Sequence, residues 1–166
     1  YGSDPERVLR MAQSYMKGAH ENGLAVSIKH FPGDGVDERD QHMHPSINAL
    51  SVEEWDATYG KIYKTLIDEG AETVMIGHIM QPAYSRALCP EIRDEDIYPG
   101  PLSKELMEGL LRKKLGFNGV IVTDSTRMTG FLLSMKRELA VPTSIAVGCD
   151  MFLFDLGLEQ DFAYMM

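Results

Sequence analysis

The sequence predicts an α/β fold, a parallel sheet covered by helices. Four short apolar segments carry that expectation: 24–31, 73–79, 119–124 and 151–154. They lack the apolar–polar alternation of a strand with one face in water, as strands buried on both faces do. Amphipathic stretches separate them, so the order reads α-β-α-β-α-β-α-β. Three of the segments end in polar residues, Lys29-His30, His78 and Asp124. Parallel α/β folds place their sites at the C-terminal ends of strands. Two architectures share this order, a small doubly wound sheet and part of a (β/α)8 barrel. A complete barrel takes about 250 residues and more strands than these.

Ser3-Asp4-Pro5-Glu6 reads as a helix start, with Ser3 and Glu6 at capping-box spacing and Pro5 in the first turn. Leu9, Ala12, Tyr15, Met16 and Ala19 recur at helical spacing until Asn22-Gly23. The first strand follows and stops at Pro32-Gly33-Asp34-Gly35. Residues 36–50 are polar and aperiodic and read as one long loop, a length that is usually functional in a compact domain. Ser51 and Glu54 form a second capping box, and Trp55, Tyr59, Ile62, Tyr63 and Leu66 make the buried stripe of that helix up to Gly70. Residues 80–101, with four prolines, read as another loop. Ser103 caps a helix carrying Leu106, Leu110, Leu111 and Leu115, stopped by Gly116. Weaker helical stretches are expected at 127–139 and 142–148.

The chain has 166 residues, which predicts one domain, and its formal net charge is −9. An acidic balance disfavours a polyanionic partner, so no nucleic acid is expected. No apolar run approaches the roughly 20 residues that span a bilayer, so no membrane segment is expected. Cys89 and Cys149 stand 60 residues apart, which fits neither a disulfide scaffold nor a zinc ribbon. They read as free thiols in a reducing compartment, hence a cytoplasmic expectation. No leader is visible at Tyr1, where the start looks trimmed.

Asp124 ends an apolar strand; it suits a helix N-cap, and equally a nucleophile or ligand fixed on a rigid strand end. Lys29 and His30 are adjacent, so only one should face the mouth of a barrel unless the strand twists. Both donate hydrogen bonds that suit sugar hydroxyls. Asp40-Gln41-His42 places a carboxylate and an imidazole on one side of an extended segment. The carboxylate can orient the ring and stabilise its protonated form, as a general acid/base requires; the alternative is a solvated polar loop. Asp37, Asp40, His42 and His44 match no zinc spacing. No dinucleotide fingerprint, phosphate loop or nucleophile elbow is present, so no cofactor is expected.

Taken together, Lys29-His30-Phe31-Pro32-Gly33-Asp34-Gly35, then Asp40-Gln41-His42, then a strand ending in Thr123-Asp124 resemble glycoside hydrolase family 3. Within it, the β-N-acetylhexosaminidases are the nearest branch. The resemblance runs from about Asp4 to Phe154 and includes Met75-Ile76-Gly77-His78 and Leu115-Gly116-Phe117-Asn118-Gly119. It implies roughly the second half of a (β/α)8 TIM barrel, with four parallel strands and outer helices. It also implies a retaining exo-glycosidase acting on β-linked sugars, with terminal N-acetylglucosaminides expected, through a covalent glycosyl-enzyme. By motif match Asp124 is the nucleophile and His42, paired with Asp40, the acid/base. Lys29 and His30 match the pair that holds sugar hydroxyls, and His78 a histidine near the same pocket. Asp34 stands where many members have His, and Ser125 follows the nucleophile where an acidic or aromatic residue is common.

The resemblance further implies that the chain, residues 1–166, is one fragment of the catalytic barrel domain, completed by a half upstream of Tyr1. That half normally supplies an Asp and an Arg that grip the sugar. The fragment alone is then expected to be inactive. Two other functions remain open at this point, a phosphorylase on the same residues and a non-enzymatic sugar-binding or structural module. Half a barrel exposes sheet edges, so self-association or a loose end around 155–166 is expected. The loop 34–50, carrying Asp40 and His42, is expected to act as a lid that stands open without ligand.

Overall fold

The computed structural model describes residues 1–153 and 158–166. Four strands form one parallel sheet: β1 (Ser27–Phe31), β3 (Thr73–Ile76), β5 (Val120–Ser125) and β6 (Met151–Leu153), in the spatial order β1-β3-β5-β6. Each strand pairs with the next in the sheet, as helical crossovers between parallel strands require. Phe154, the expected last residue of the fourth strand, lies outside the described residues. β1 is shorter than its apolar run: Leu24 is 63% exposed, and pairing starts only at Ser27 opposite Thr73.

Helix α1 (Pro5–Glu21) is capped by Asp4 rather than Ser3, since the Asp4 carboxylate accepts the N–H groups of Glu6 and Arg7. It lays Leu9 and Met16 on Val26, Leu66 and Ala71. The Ser51–Glu54 capping box is present and starts α2 (Val52–Trp55). That helix continues through a wider-turned segment, Asp56–Gly60, into α3 (Lys61–Asp68). The helix after Ser103 also takes wide, i→i+5 turns over Glu105–Lys114. The apolar pattern does not separate the two windings, because Leu106, Met107, Leu110 and Leu111 are buried either way.

Two expected loops carry structure. Residues 36–50 include β2 (Ser46–Ile47), which pairs in parallel with β4 (Ile79–Met80) as a second, two-stranded sheet. A two-residue strand is too short to show a period, so the polar composition concealed it. Residues 80–101 include α4 (Pro82–Leu88), whose first turn accepts Pro82 and whose cap is the Gln81 side chain, accepting from the Tyr84 N–H. Beyond β5, the helical stretches divide differently from the expectation, into α5 (Thr129–Leu132) and α6 (Arg137–Ala146), with Pro142 inside α6. α7 (Leu158–Met165) closes the chain and is tied to α6 where Arg137 pairs with the buried carboxylate of Asp161. Of the end expected to be loose, residues 155–157 lie outside the described residues and the rest is mostly this helix.

The core lies between the sheet and its helices. Phe31, Val74, Ile76 and Ile121 from the strands meet Trp55, Tyr63, Tyr84, Leu106 and Leu110. Phe31 meets Trp55 and Tyr63 edge-on, with ring centroids 6.2 and 5.2 Å apart. The Trp55 indole N–H donates to the Pro32 carbonyl, so this apolar layer also fixes the chain just after β1.

Candidate active site

β1, β3 and β5 run parallel, so their C-terminal ends meet at one end of the sheet. Asp124 is the penultimate residue of β5, and its side chain is only 18% exposed. One carboxylate oxygen accepts the Ser125 N–H at 2.7 Å; the other lies 3.5 Å from His30 Nε2. The far ring nitrogen of His30 faces Asp34 at 3.8 Å, so the imidazole stands between two carboxylates. Burial nevertheless pushes the His30 pKa below its ordinary value; Lys29 adds to that, while the Asp124 and Asp34 charges oppose it. A neutral ring beside Asp124 leaves that carboxylate without a cationic partner from His30.

Lys29 is exposed, and the Lys29–His30 and Phe31–Pro32 peptide bonds are cis. The pairing of β1 with β3 is irregular between Ile28 and Phe31. Lys29 and His30 both border a cleft of about 880 Å³ along the open side of β1, with Asp34, Tyr59 and residues of α1.

His78 sits between β3 and β4 and is fully buried. Its Nε2–H donates to the Ser125 carbonyl at 2.8 Å, a tautomer fixed by the acceptor. That bond ties β3's end to the residue after Asp124. Burial lowers the His78 pKa, and its Nδ1 has no hydrogen-bond partner. The protein therefore takes one of the two nitrogens of the ring that the motif match assigns to sugar binding.

Asp40 and His42 form the pair their spacing foretold. The carboxylate accepts both the His42 backbone N–H at 2.9 Å and the ring Nδ1 at 2.7 Å. Those bonds, the backbone one foremost, hold the Asp40 carboxyl below its usual range. With Nδ1 engaged, Nε2 is left to meet a substrate. Both side chains are exposed, at 65% and 72%, and face solvent. Asp37 serves the loop, accepting from the Arg39 guanidinium and the Ile47 N–H. Among the described residues, no three His, Cys, Asp or Glu side chains gather as a metal site.

The sequence reading passed over Gln41 and Asn48, both buried within the polar loop. Asn48 donates to the Gly33 carbonyl at 3.1 Å, and its backbone N–H donates to Met80. Nothing in a run of polar residues marks which amides turn inward. Taken as a whole, the site offers a nearly buried carboxylate on a rigid strand, a neutral imidazole beside it, and a carboxylate-oriented imidazole on an overlying loop. Such a set suits attack on an electrophilic carbon with separate proton transfer.

The family model described as the glycosyl hydrolase family 3 N terminal domain matches residues 1–163. A β-N-acetylglucosaminidase/β-glucosidase of Cellulomonas fimi is 54% identical over 165 residues, covering 99% of this chain and 29% of that protein. A β-hexosaminidase of Tolumonas auensis is 30% identical over 154 residues, 92% of this chain and 43% of its own length. Among solved structures, the β-glucoside phosphorylase BglX superposes with a TM-score of 0.97 at 55% identity, covering 99% of this chain and 30% of that one. A β-N-acetylglucosaminidase from Paenibacillus sp. gives 0.86 at 29% identity, covering 99% of this chain and 30% of that one. The chain thus spans well under half the length of these relatives.

Proposed function

The chain belongs to glycoside hydrolase family 3, its sheet an arc of that family's barrel, and we propose that it carries the nucleophile and acid/base of a retaining exo-β-glycosidase. The single observation that carries this reading is Asp124, held on β5 and nearly buried, with no cation paired to it by His30. The Asp124 carboxylate attacks the anomeric carbon of a β-linked sugar and forms a glycosyl–enzyme ester. The bond to the leaving oxygen breaks as His42 Nε2 gives that oxygen its proton. Water then attacks the anomeric carbon as its bond to the Asp124 oxygen breaks, and His42 takes the water's proton. Asp40 orients the His42 ring by holding its Nδ1. Lys29 and His30, which border the cleft along β1 with His30 3.5 Å from Asp124, hold hydroxyls of the cleaved sugar; His78 stiffens the strand ends. Terminal N-acetylglucosaminides are the first substrate class to test, with glucosides beside them. The remaining part of the barrel completes the pocket, and residues 1–166 alone are inactive.

One observation favours a second reading, phosphorolysis. The acid/base is an imidazole, which when neutral does not repel an incoming phosphate as a carboxylate would. A solved structure at 55% identity also carries a phosphorylase name. Assay of the full-length protein on aryl β-N-acetylglucosaminides and aryl β-glucosides, with and without phosphate, separates the two. Hydrolysis without phosphate is expected. Turnover only with phosphate, yielding a sugar 1-phosphate, identifies the phosphorylase, and no turnover of either series contradicts the catalytic reading.

A further inference from the structure

We infer that Gln41, between the two residues of the Asp40–His42 pair, is the positioning residue that fastens the acid/base loop to the strand ends; this rests on the glycosidase reading above. Its neighbours point outward, while Gln41 is buried to 7% exposure. Its side-chain amide reaches two elements and its backbone carbonyl a third. Oε1 accepts the His78 backbone N–H at 3.0 Å, at the end of β3. Nε2 donates to the Asp34 carboxylate at 2.9 Å, just past β1. Its carbonyl accepts the Gly130 N–H at 3.4 Å, on the segment after β5, where the His42 carbonyl also accepts from Thr129.

The site is shaped for this side chain. A Cβ on Gly77 would lie 3.1 Å from Gln41 Oε1 and 2.9 Å from His30 Cβ. A Cβ on Gly130 would lie 2.7 Å from His78 Cβ and 3.5 Å from the Gln41 carbonyl. Gly77 therefore admits the Gln41 amide against the end of β3, and Gly130 lets the segment after β5 pass close to His78. Asp34 connects this fastening to the nucleophile, since the oxygen that takes the Gln41 amide also faces His30, which faces Asp124. The loop that carries His42 is in this way fastened to the ends of the strands beside Asp124.

The test uses the full-length protein and its phenyl and 2,4-dinitrophenyl glycosides. Forming the glycosyl-enzyme from a poor leaving group needs His42 in place as acid; forming it from a good one does not, and kcat/KM reports that step. Gln41→Ala is expected to lower kcat/KM on the phenyl glycoside by roughly 100-fold, the low end of general-acid catalysis, with little effect on kcat/KM of the dinitrophenyl glycoside. Gln41→Glu sets an oxygen against Asp34 and should show the same split. Adding Asp34→Asn restores a hydrogen bond with its direction reversed and should recover the phenyl rate. Hydrogen exchange provides an arm independent of turnover: amides of 39–43 should exchange faster in both single variants and slow again in the pair. Equal loss on both glycosides, or no rescue by the pair, overturns the assignment. If the parent protein turns over neither glycoside, the glycosidase reading falls, and the exchange arm still decides whether Gln41 fastens the loop.

Discussion

At the scale of single residues, the site separates two tasks by where their groups sit. Asp124 lies on a strand with its carboxylate held by the Ser125 N–H, whereas His42 rides a loop and is oriented by Asp40. On the proposed mechanism, loss of Asp124 removes the covalent intermediate, so Asp124→Ala should abolish turnover of every substrate. On the same mechanism, loss of His42 removes a proton donor, so His42→Ala should cost about 100-fold or more in kcat/KM on poor leaving groups and far less on nitrophenyl glycosides. Kinetics of both variants across a leaving-group series checks this; equal losses on an activated aryl glycoside would contradict the roles. The Asp40–His42 contact was legible from its spacing, but not for the expected reason: residues 41–43 form a turn closed by the Asp40 carbonyl, not an extended segment, and the turn brings the ring to the carboxylate. Gln41 was not legible, because an uncharged amide inside a polar run carries no sign of burial. The partners of His78 were hidden for a related reason: a histidine closing an apolar strand reads alike whether its ring meets a ligand or the backbone carbonyl of Ser125.

At the scale of elements, the loop after β1 is built into the fold by short pieces. β2 pairs with β4, and Asn48 bridges both to the turn at Gly33. Asn48 is 1% exposed, and its Oδ1 also accepts the Leu50 N–H. Asn48→Ala leaves those backbone groups unpaired in a buried place, so it should cost about 1–3 kcal/mol. Thermal or denaturant melting of the full-length protein measures this, and a change within a few tenths would contradict the anchoring. The sheet strands were legible as apolar runs, and the Ser51–Glu54 box was legible from its spacing. β2 and α4 were not. A two-residue strand has no period, and the α4 helix hides among prolines that usually break helices, though Pro82 occupies the first turn, where its missing N–H is not needed.

At the scale of the whole molecule, β1 and β6 stand at the edges of the four-stranded sheet among the described residues. Apolar side chains lie open near both edges: Tyr15 is 69% and Leu24 63% exposed beside the cleft along β1, and Met151 is 56% exposed on β6. An arc of a barrel with unpaired strand edges invites edge pairing. The polypeptide of residues 1–166 on its own should therefore self-associate, which light scattering over a concentration series reads directly; a monomer throughout would contradict it. The architecture was legible in outline because a parallel order of apolar strands and amphipathic helices has few solutions. The order of elements alone left a doubly wound sheet and a barrel arc open, since both place the same strands side by side; the resemblance to glycoside hydrolase family 3 chose the arc, and the family match bears that out.

The central claim is that Asp124 forms the covalent bond to the sugar. A 2-fluoro glycoside with a good leaving group slows both steps but slows release more, so the intermediate accumulates on the nucleophile. The full-length protein should be incubated with the 2-fluoro derivative of a glucoside it cleaves, or with a 5-fluoro derivative where the sugar carries a 2-acetamido group, digested, and its peptides weighed. The account predicts one added fluoro-glycosyl group, on the peptide containing Val120-Ile121-Val122-Thr123-Asp124, localised to Asp124 by fragmentation. A label on any other residue, or an active enzyme that hydrolyses with inversion and takes no label, would contradict it.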